Sequence, residues 1–356
     1  MMRCRSSIAA LIFSLGVLST ELHAQTSYRL TLIETDPPSD QTVFATDLSD
    51  KGLVVGLSDA NIIANRHAFA WRHGHYRDLH GLLPPTALIS TASGTNNRAD
   101  IVGMYFDGAR ESNFSFLLRH RRFVLIETTV GTGGVSVSAE DINNRRQVTG
   151  ETFDFGRPRG FVWDRGRVTI LPAFTDTGNV TVMEINDHGV VVGTVDDAVG
   201  GDFVISAVIW RNGQPLDLGL PPGWLGARGN AINNLGQVVG NLIGANRGGA
   251  FLWQRGDINE LPTLDGALAS GALDINDRGE IVGTTGFAAA PFAVATLWDD
   301  EGIHDLNDLI SRDDPLQPFV TLLVAQLSND RGRIVARGTD SRQPDRTATY
   351  LLTPQR

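Results

Sequence analysis

One sequence motif recurs seven times along the chain and constrains its fold more than any other feature. The clearest copy reads AINNLGQVVG at residues 231–240 and is followed by AFLW at residues 250–253. Each copy joins a short apolar segment, a polar turn, a second apolar segment and a third segment that is rich in large apolar residues. The turn residues that correspond to one another are Ser49, Asn96, Asn143, Asn186, Asn233, Asn276 and Asn329.

The spacing of the copies predicts the architecture. Successive turn residues lie 43 or 47 residues apart, except for the last pair, which lie 53 apart. Repeats of this length are typical of propellers, solenoids and arrays. Each of the first six copies has four short segments rich in Val, Ile, Leu and Trp, punctuated by Asn, Gly and Asp as in strands and turns. No copy has the periodicity of a long amphipathic helix, so the pattern predicts an all-β, seven-bladed β-propeller with four-stranded blades.

The two ends of the chain predict how the ring closes. The last copy ends after its third strand segment, at residues 347–352, and has no fourth. Residues 28–34, YRLTLIE, resemble the fourth segments of other copies, such as YRDL at residues 76–79. We therefore expect the N-terminal strand to complete the last blade, which would remove an exposed sheet edge.

The first residues have a different character. Arg3 and Arg5 precede an apolar run at residues 8–18, and a polar segment ends at Ala24. This pattern predicts a secretory signal peptide over residues 1–24, and its apolar run is too short to cross a membrane. Residues 25–356 are predicted to form a single propeller domain. We expect the protein to be exported, to the periplasm or outside the cell, without membrane insertion after signal removal.

The composition of the chain excludes further classes of binding partner. The only cysteine, Cys4, lies in the predicted signal peptide, so the mature protein has no disulfide and no cysteine-based metal site. The formal charge is −10, and removal of Arg3, Arg5 and Glu21 with the signal makes it about −11. A charge of this sign disfavours non-specific binding to nucleic acid. No motif indicates a cofactor, and we expect a monomer.

The motif resembles a bacterial family of probable extracellular repeats, the HAF repeat. The tripeptide that names the family stands at residues 67–69, and the Asn-x-x-Gly-x-Val-Val-Gly and Ala-Phe-Leu-Trp elements recur over the whole mature chain. Several copies lack the histidine, as those at Gly160-Phe161 and Ala207-Val208 do, where Arg159 and Ser206 precede the pair. The resemblance implies a seven-bladed propeller and export, and it implies almost nothing about activity.

The repeat divides the ring into two faces. The Asn-x-x-Gly turns and the hairpins between strands three and four share one face, called here the turn face, which is short and uniform. The connections between strands two and three and between blades share the other, called here the variable-loop face, and such loops usually carry function. We predict that ligand-binding residues lie there. They are Arg66, Arg110, Arg159, Trp224, Arg228, Arg247 and Arg346.

An exposed tryptophan beside arginines would stack on a sugar and pair with its carboxylates. The sequence thus favours a binding or interaction protein over an enzyme, with an acidic glycan or cell-surface component as ligand. The alternative to this ligand site is a solvated rim without a ligand, in which Trp224 packs over a blade junction. A polysaccharide lyase or glycosidase that uses His67 and Tyr105 beside Arg66 is a second candidate function, and a purely structural envelope protein is a third.

Four acidic residues occupy one aligned position, two residues before the turn: Asp47, Asp141, Glu184 and Asp274. On the innermost strands these side chains would face the central channel. They are weak candidates for a metal site. Alternatively, they accept hydrogen bonds from neighbouring turn amides, since buried carboxylates need partners.

Overall fold

The described part of the chain forms a ring of seven four-stranded antiparallel sheets, as predicted. The computed structural model describes residues 26–35, 42–59, 66–127, 137–154, 157–199, 202–288 and 292–355. The predicted signal peptide lies outside these residues. Within them, the helical structure is a 3-10 turn at His80–Leu82, and no helix has the length and apolar character needed to cross a membrane.

The strands follow the repeat, and blades are numbered from the first complete copy. Strand β1 is Tyr28–Ile33. Blade 1 contains β2 Thr42–Leu48, β3 Val54–Asp59, β4 His67–Arg72 and β5 His75–Asp78. Blade 2 contains β6 Ala87–Thr95, β7 Ile101–Asp107, β8 Ser112–Arg119 and β9 Arg122–Ile126. Blade 3 contains β10 Val137–Ile142, β11 Gln147–Asp154, β12 Arg157–Asp164 and β13 Arg167–Leu171.

Blade 4 contains β14 Asn179–Ile185, β15 Val191–Val199, β16 Asp202–Arg211 and β17 Gln214–Asp217. Blade 5 contains β18 Gly226–Ile232, β19 Val238–Ile243, β20 Gly248–Gln254 and β21 Asp257–Glu260. Blade 6 contains β22 Ala269–Ile275, β23 Ile281–Gly286, β24 Ala293–Asp299 and β25 Gly302–Asp305. Blade 7 contains β26 Val320–Ser328, β27 Ile334–Asp340 and β28 Gln343–Pro354, and β1 is its outermost strand.

The Asn-x-x-Gly element forms the tight turn between the first two strands of a blade. In blade 5, the side-chain oxygen of Asn233 accepts the backbone N–H groups of Leu235 and Gln237 at 3.1 and 3.0 Å. Gly236 has a φ of +78°, a conformation that glycine adopts without steric cost. The asparagine thus stabilises its own turn, as the sequence predicts.

The same asparagines join each blade to the next. The side-chain amide of each donates to the backbone carbonyl of the turn residue in the following blade, at 2.9–3.1 Å. Six of these links form, and the last joins Asn329 to Ser49. Blade 1 donates no such bond to Asn96, because its turn residue is Ser49 and has no amide.

A second ring of hydrogen bonds lies one residue further along each turn and is complete. The backbone N–H of each residue donates to the side-chain oxygen of its counterpart in the next blade, at 2.7–3.0 Å. All seven positions hold Asp or Asn, which supply that acceptor. They are Asp50, Asn97, Asn144, Asp187, Asn234, Asp277 and Asp330.

The ring is closed by the two chain ends. Strand β1 pairs with β28 without a break, from Tyr28 opposite Pro354 to Ile33 opposite Thr349. The outer edge of β1 is also covered, because the connection between β25 and β26 runs along it. Tyr28 donates to the carbonyl of Leu309 at 2.8 Å. This longer connection accounts for the 53-residue spacing of the last two turns.

Deletion of residues 26–36 should abolish cooperative folding, because blade 7 would lose its outermost strand and the ring its closure. Thermal melting followed by circular dichroism tests this, against a control chain that begins at residue 26. A truncated chain that melts like the control would contradict the closure.

Substitution Ser49→Asn should stabilise the protein, because it would supply the seventh amide link, to the carbonyl of Asn96. We expect a gain of about 1 kcal/mol in the free energy of unfolding, measured by urea denaturation. Ser49→Asp is the matched control, since it retains an acceptor for the turn and cannot donate. Equal stability of both variants would argue against the link.

Candidate functional site

The structure places the predicted arginines around the variable-loop face. Arg66, Arg110 and Arg247 lie in connections between second and third strands, as predicted. The prediction of a loop position is wrong for Arg159, Arg228 and Arg346, which lie within β12, β18 and β28. Those strands extend further toward this face than the repeat motif indicates.

Arg66 and Arg110 are each held inside their own blade. The guanidinium of Arg66 lies 3.4 Å from a carboxylate oxygen of Asp59. That of Arg110 lies 5.1 Å from the ring centre of Phe114, a cation–π contact. Neither contact reaches another blade, so these two arginines are oriented separately.

Arg159 and Arg228 each bridge two neighbouring blades. Arg159 donates at 2.9 Å to the carbonyl of Asp176, in the connection to blade 4. Arg228, in β18, lies 3.8 Å from a carboxylate oxygen of Asp196 in β15. The described contacts join none of the candidate arginines to one another, and none of these side chains lines the central cavity. They are therefore distributed along the rim and do not form a single pocket.

For Trp224 the structure shows the second alternative, a ring packed over a blade junction, and not an exposed ring. Its side chain is only 6% exposed and belongs to the core between blades 4 and 5. Its indole N–H donates to Glu260 at 3.1 Å, and the Arg247 guanidinium lies 3.9 Å from the ring centre. Gly249 leaves the space for the ring, since a Cβ there would lie 2.7 Å from it. Trp224 thus positions Arg247, and its own ring cannot stack on a sugar.

Sequence reasoning missed a set of exposed apolar side chains on the same face. Among the exposed large apolar residues that are described, eight lie in or beside the connections of the variable-loop face. They are Leu88, Phe153, Phe174, Leu220, Leu225, Leu268, Phe292 and Phe319. On the turn face, the same set contains Leu235 alone. Exposed apolar groups concentrated on one face are typical of an interaction surface. Because none belongs to the repeat motif, the only available signal was their position in the connections.

Tyr105 and His67, the catalytic candidates, lie at one junction, between blades 1 and 2. Tyr105 is 2% exposed, and burial raises the pKa of its hydroxyl, so it stays protonated at neutral pH. Its ring stacks on Phe114 with centres 5.7 Å apart. A tyrosine enclosed in this way cannot reach a polymer on the rim.

The histidine pair at this junction is bound to scaffold residues. Nδ1 of His67 lies 2.7 Å from Asp78, and Nδ1 of His80 lies 2.8 Å from the hydroxyl of Ser90. The two imidazoles stack with centres 4.1 Å apart. Burial lowers the pKa of His80, and the neighbouring His67 lowers it further, so His80 is neutral at neutral pH.

The partners of these histidines recur in blades without histidine. Asp217 in blade 4 occupies the register of Asp78 and accepts a hydrogen bond from Ser206 at 3.0 Å. Ser270 in blade 6 accepts a backbone N–H as Ser90 does. These positions therefore belong to the repeat, and the arrangement is not specific to catalysis.

The four aligned acidic residues link the innermost strands of neighbouring blades. Asp47 accepts the backbone N–H of Thr95, in the next blade, at 2.5 Å. The equivalent bonds run from Ile185 to Asp141, from Ile232 to Glu184 and from Ser328 to Asp274. The structure thus shows the second of the two alternatives, hydrogen bonding to neighbouring amides. In the described residues, no group of three or more metal-ligating side chains is arranged around an ion position.

Burial makes these carboxyl groups weak acids. Burial, with a smaller contribution from other acidic groups of the channel, raises the pKa of Asp141 and of Asp274 to about 6. The pKa values of Asp47 and Glu184 are also well above the ordinary range, for the same two reasons. Backbone N–H donors oppose the shift in all four.

The carboxyl groups surround a cavity of about 560 Å³ at the centre of the ring. Nine acidic side chains line it, and within the described residues no arginine, lysine or histidine does. The lining acids are Asp47, Asp50, Glu140, Asp141, Glu184, Asp187, Asp274, Asp277 and Asp330. This channel would repel the anionic ligand that the sequence predicts, so such a ligand belongs on the rim.

Comparisons with solved structures support a β-propeller as the class of protein. The fold is similar to the β-propeller domain of the Trilobed protease from Pyrococcus furiosus, with 11% identity, a TM-score of 0.56, and 88% of this chain and 95% of that one covered. It is also similar to the acylaminoacyl peptidase of Pyrococcus horikoshii, with 11% identity, a TM-score of 0.53, and 92% and 52% covered. The chain thus spans about half of that peptidase. Likenesses at this identity show the fold alone.

The first of these proteins has an open velcro topology, whereas β1 and β28 hydrogen-bond here. No family model and no curated protein matches the sequence. The resemblance to the HAF repeat therefore stays a prediction that rests on the motif.

Stability should fall as the pH rises from about 4 to about 7. In the unfolded chain these acids ionise near pH 4, whereas folded Asp141 and Asp274 keep their protons until about pH 6. The favourable contribution of each group is thus complete below pH 4 and is lost as the pH rises through 6. It is on the order of 3 kcal/mol per group. Urea denaturation across this range measures it.

Asp274→Asn should flatten that pH dependence, because it removes one titrating group. Asp265→Asn, in an exposed connection, is the control and should leave the dependence unchanged. An identical pH profile for wild type and Asp274→Asn would contradict the assignment.

Proposed function

We propose that this protein is an exported binding protein whose variable-loop face engages its partner. The observation that supports this most directly is the asymmetry of exposure: among the described residues, eight large exposed apolar side chains lie on that face and one lies on the other. The predicted signal peptide and the resemblance to the extracellular repeat support export.

The arginines suit an acidic partner. The side chains of Arg66, Arg228 and Arg247 are 36%, 43% and 52% exposed, so their guanidinium groups are accessible although each has an acidic neighbour. A guanidinium can bind a carboxylate or phosphate through two parallel hydrogen bonds. We therefore keep an acidic glycan or cell-surface component as the ligand class.

The exposed apolar side chains of the variable-loop face narrow the class of ligand further. Leu268 and Phe292 flank one segment of blade 6, because the N–H of Leu268 donates to the carbonyl of Gly286 and the carbonyl of Phe292 accepts the N–H of Phe287. They are 64% and 71% exposed. A bare glycan would contact only the arginines and would leave these groups in water. A surface component that has apolar as well as anionic groups would cover both.

The double variant Leu268→Ser, Phe292→Ser should bind cell-envelope material about tenfold more weakly, because central apolar contacts dominate such interfaces. Sedimentation with envelope fractions measures this, with the melting temperature as a check on folding. Leu235→Ser is the matched control, since Leu235 is 69% exposed on the turn face.

Loss of binding in Arg247→Gln with full binding in the double apolar variant would instead favour a bare acidic glycan. Equal weakening by Leu235→Ser, or no binding by the wild type, would contradict the proposal.

A further inference from the structure

The turn face carries an uneven distribution of charge. The hairpins between the third and fourth strands are basic in blades 1, 2 and 3, with the sequences RHGHYR at residues 72–77, RHRR at 119–122 and DRGR at 164–167. In blade 6 the same hairpin is acidic, DDEG at residues 299–302. We call the following residues the basic sector: Arg72, His73, His75, Arg77, Arg119, His120, Arg121, Arg122, Arg165 and Arg167.

The charges of the basic sector are almost unpaired. Arg165 lies 3.7 Å from Asp164, and its side chain is 89% exposed. No other member forms a salt bridge within the part of the chain that the structure describes. The arginines of the variable-loop face, by contrast, have local partners. In a protein of net charge −10, such a cluster needs an explanation other than folding.

The hairpin of blade 2 holds one of these arginines in an unfavourable conformation. Four other blades have glycine at the second turn position, with φ between +76° and +96°. Blade 2 has Arg121 there, with a φ of +65°, whereas the positive φ of His120 before it is shared by the first turn residue of the other four hairpins. The left-handed region is costly for residues with a Cβ. Strain of this kind, where surrounding structure gives no reason for it, points to a functional constraint.

Arg121 lacks the structural partner that Arg146, an arginine in a comparable turn position, has. Arg146 also replaces a repeat glycine at positive φ, in the Asn-x-x-Gly turn of blade 3. It lies 2.7 Å from the buried carboxylate of Asp100, which accounts for it. Arg121 forms no such ion pair within the described residues, and it lies near enough to Arg77 of blade 1 for its charge to affect that residue. Burial lowers the pKa of Arg77, and the positive charge of Arg121 lowers it further. Two like charges therefore lie near each other at this point.

We propose that the basic sector is a second binding surface, for a linear polyanion of the acidic polysaccharide type. The hairpin tips of three consecutive blades present guanidinium groups along the perimeter, where carboxylate or sulfate groups spaced along a polymer can each be bound. The tips present no apolar side chain for insertion into a membrane. The acidic hairpin of blade 6 and the acidic channel repel the polymer from the rest of this face, which confines it to blades 1–3. This surface is separate from the variable-loop face.

The test uses the full mature protein on immobilised polygalacturonate and on dextran sulfate, with neutral dextran as the reference. The wild type should bind both acidic polymers, and binding should weaken with increasing NaCl. The double variant Arg119→Gln, Arg122→Gln should bind about tenfold more weakly, because two surface charges are removed.

Arg121→Gly gives the sharpest result. It restores the glycine of the other blades, so the melting temperature should rise while polymer binding weakens. A role in stability alone would move only the melting temperature. Arg255→Asn is the matched control, since Arg255 precedes the glycine of the blade 5 hairpin, outside the basic sector, and it should bind as the wild type does.

Three outcomes would overturn the proposal. One is retention by neither acidic polymer at low salt, and another is equal loss of binding in Arg255→Asn. The third is binding to phosphatidylglycerol vesicles without binding to the polymers, which would assign the surface to a membrane. Because the variants lie on the turn face, binding to envelope material through Leu268 and Phe292 is measured independently, so failure here leaves the proposed function unaffected.

Discussion

The structure depends on hydrogen bonds between blades at the turn face. A single four-stranded sheet has two edges and cannot bury both of its faces, so each blade needs its neighbours. The closed ring of Asp and Asn acceptors, from Asp50 to Asp330 and back, fixes the spacing of all seven blades. The asparagine amides add six further links on the adjacent residue. Because these bonds lie on short turns of constant geometry, the connections on the other face are free to vary.

Much of this architecture could be predicted from the sequence, because the repeat encodes local structure. The period, the glycine turns and the missing fourth strand led to seven blades closed by β1. The links between blades could not be predicted, since Asn97 and Asn144 meet only when two copies stand side by side in the folded ring. Their importance is visible in the sequence only after the register is known.

The candidate site was less predictable for a related reason. Trp224 lies outside the motif. Its burial depends on Gly249, which leaves room for the ring and lies 25 residues further along the chain. Arg159 and Arg346 are in strands because β12 and β28 continue beyond the repeated core. Exposed apolar residues have no motif at all. Sequence reasoning located the variable-loop face correctly but could not state which side chains on it are accessible, and it treated the turn face as scaffold although its hairpins differ strongly in charge.

The pairing of β1 with β28 has a consequence for biogenesis. Strand β1 is synthesised long before β28, with which it pairs, so no intermediate length of chain can close the ring. A ring that is closed by the two ends of the chain stays open until the last strand has been synthesised. The edge of β1 that pairs with β28 therefore stays unpaired, and blade 7 incomplete, until β28 has been synthesised.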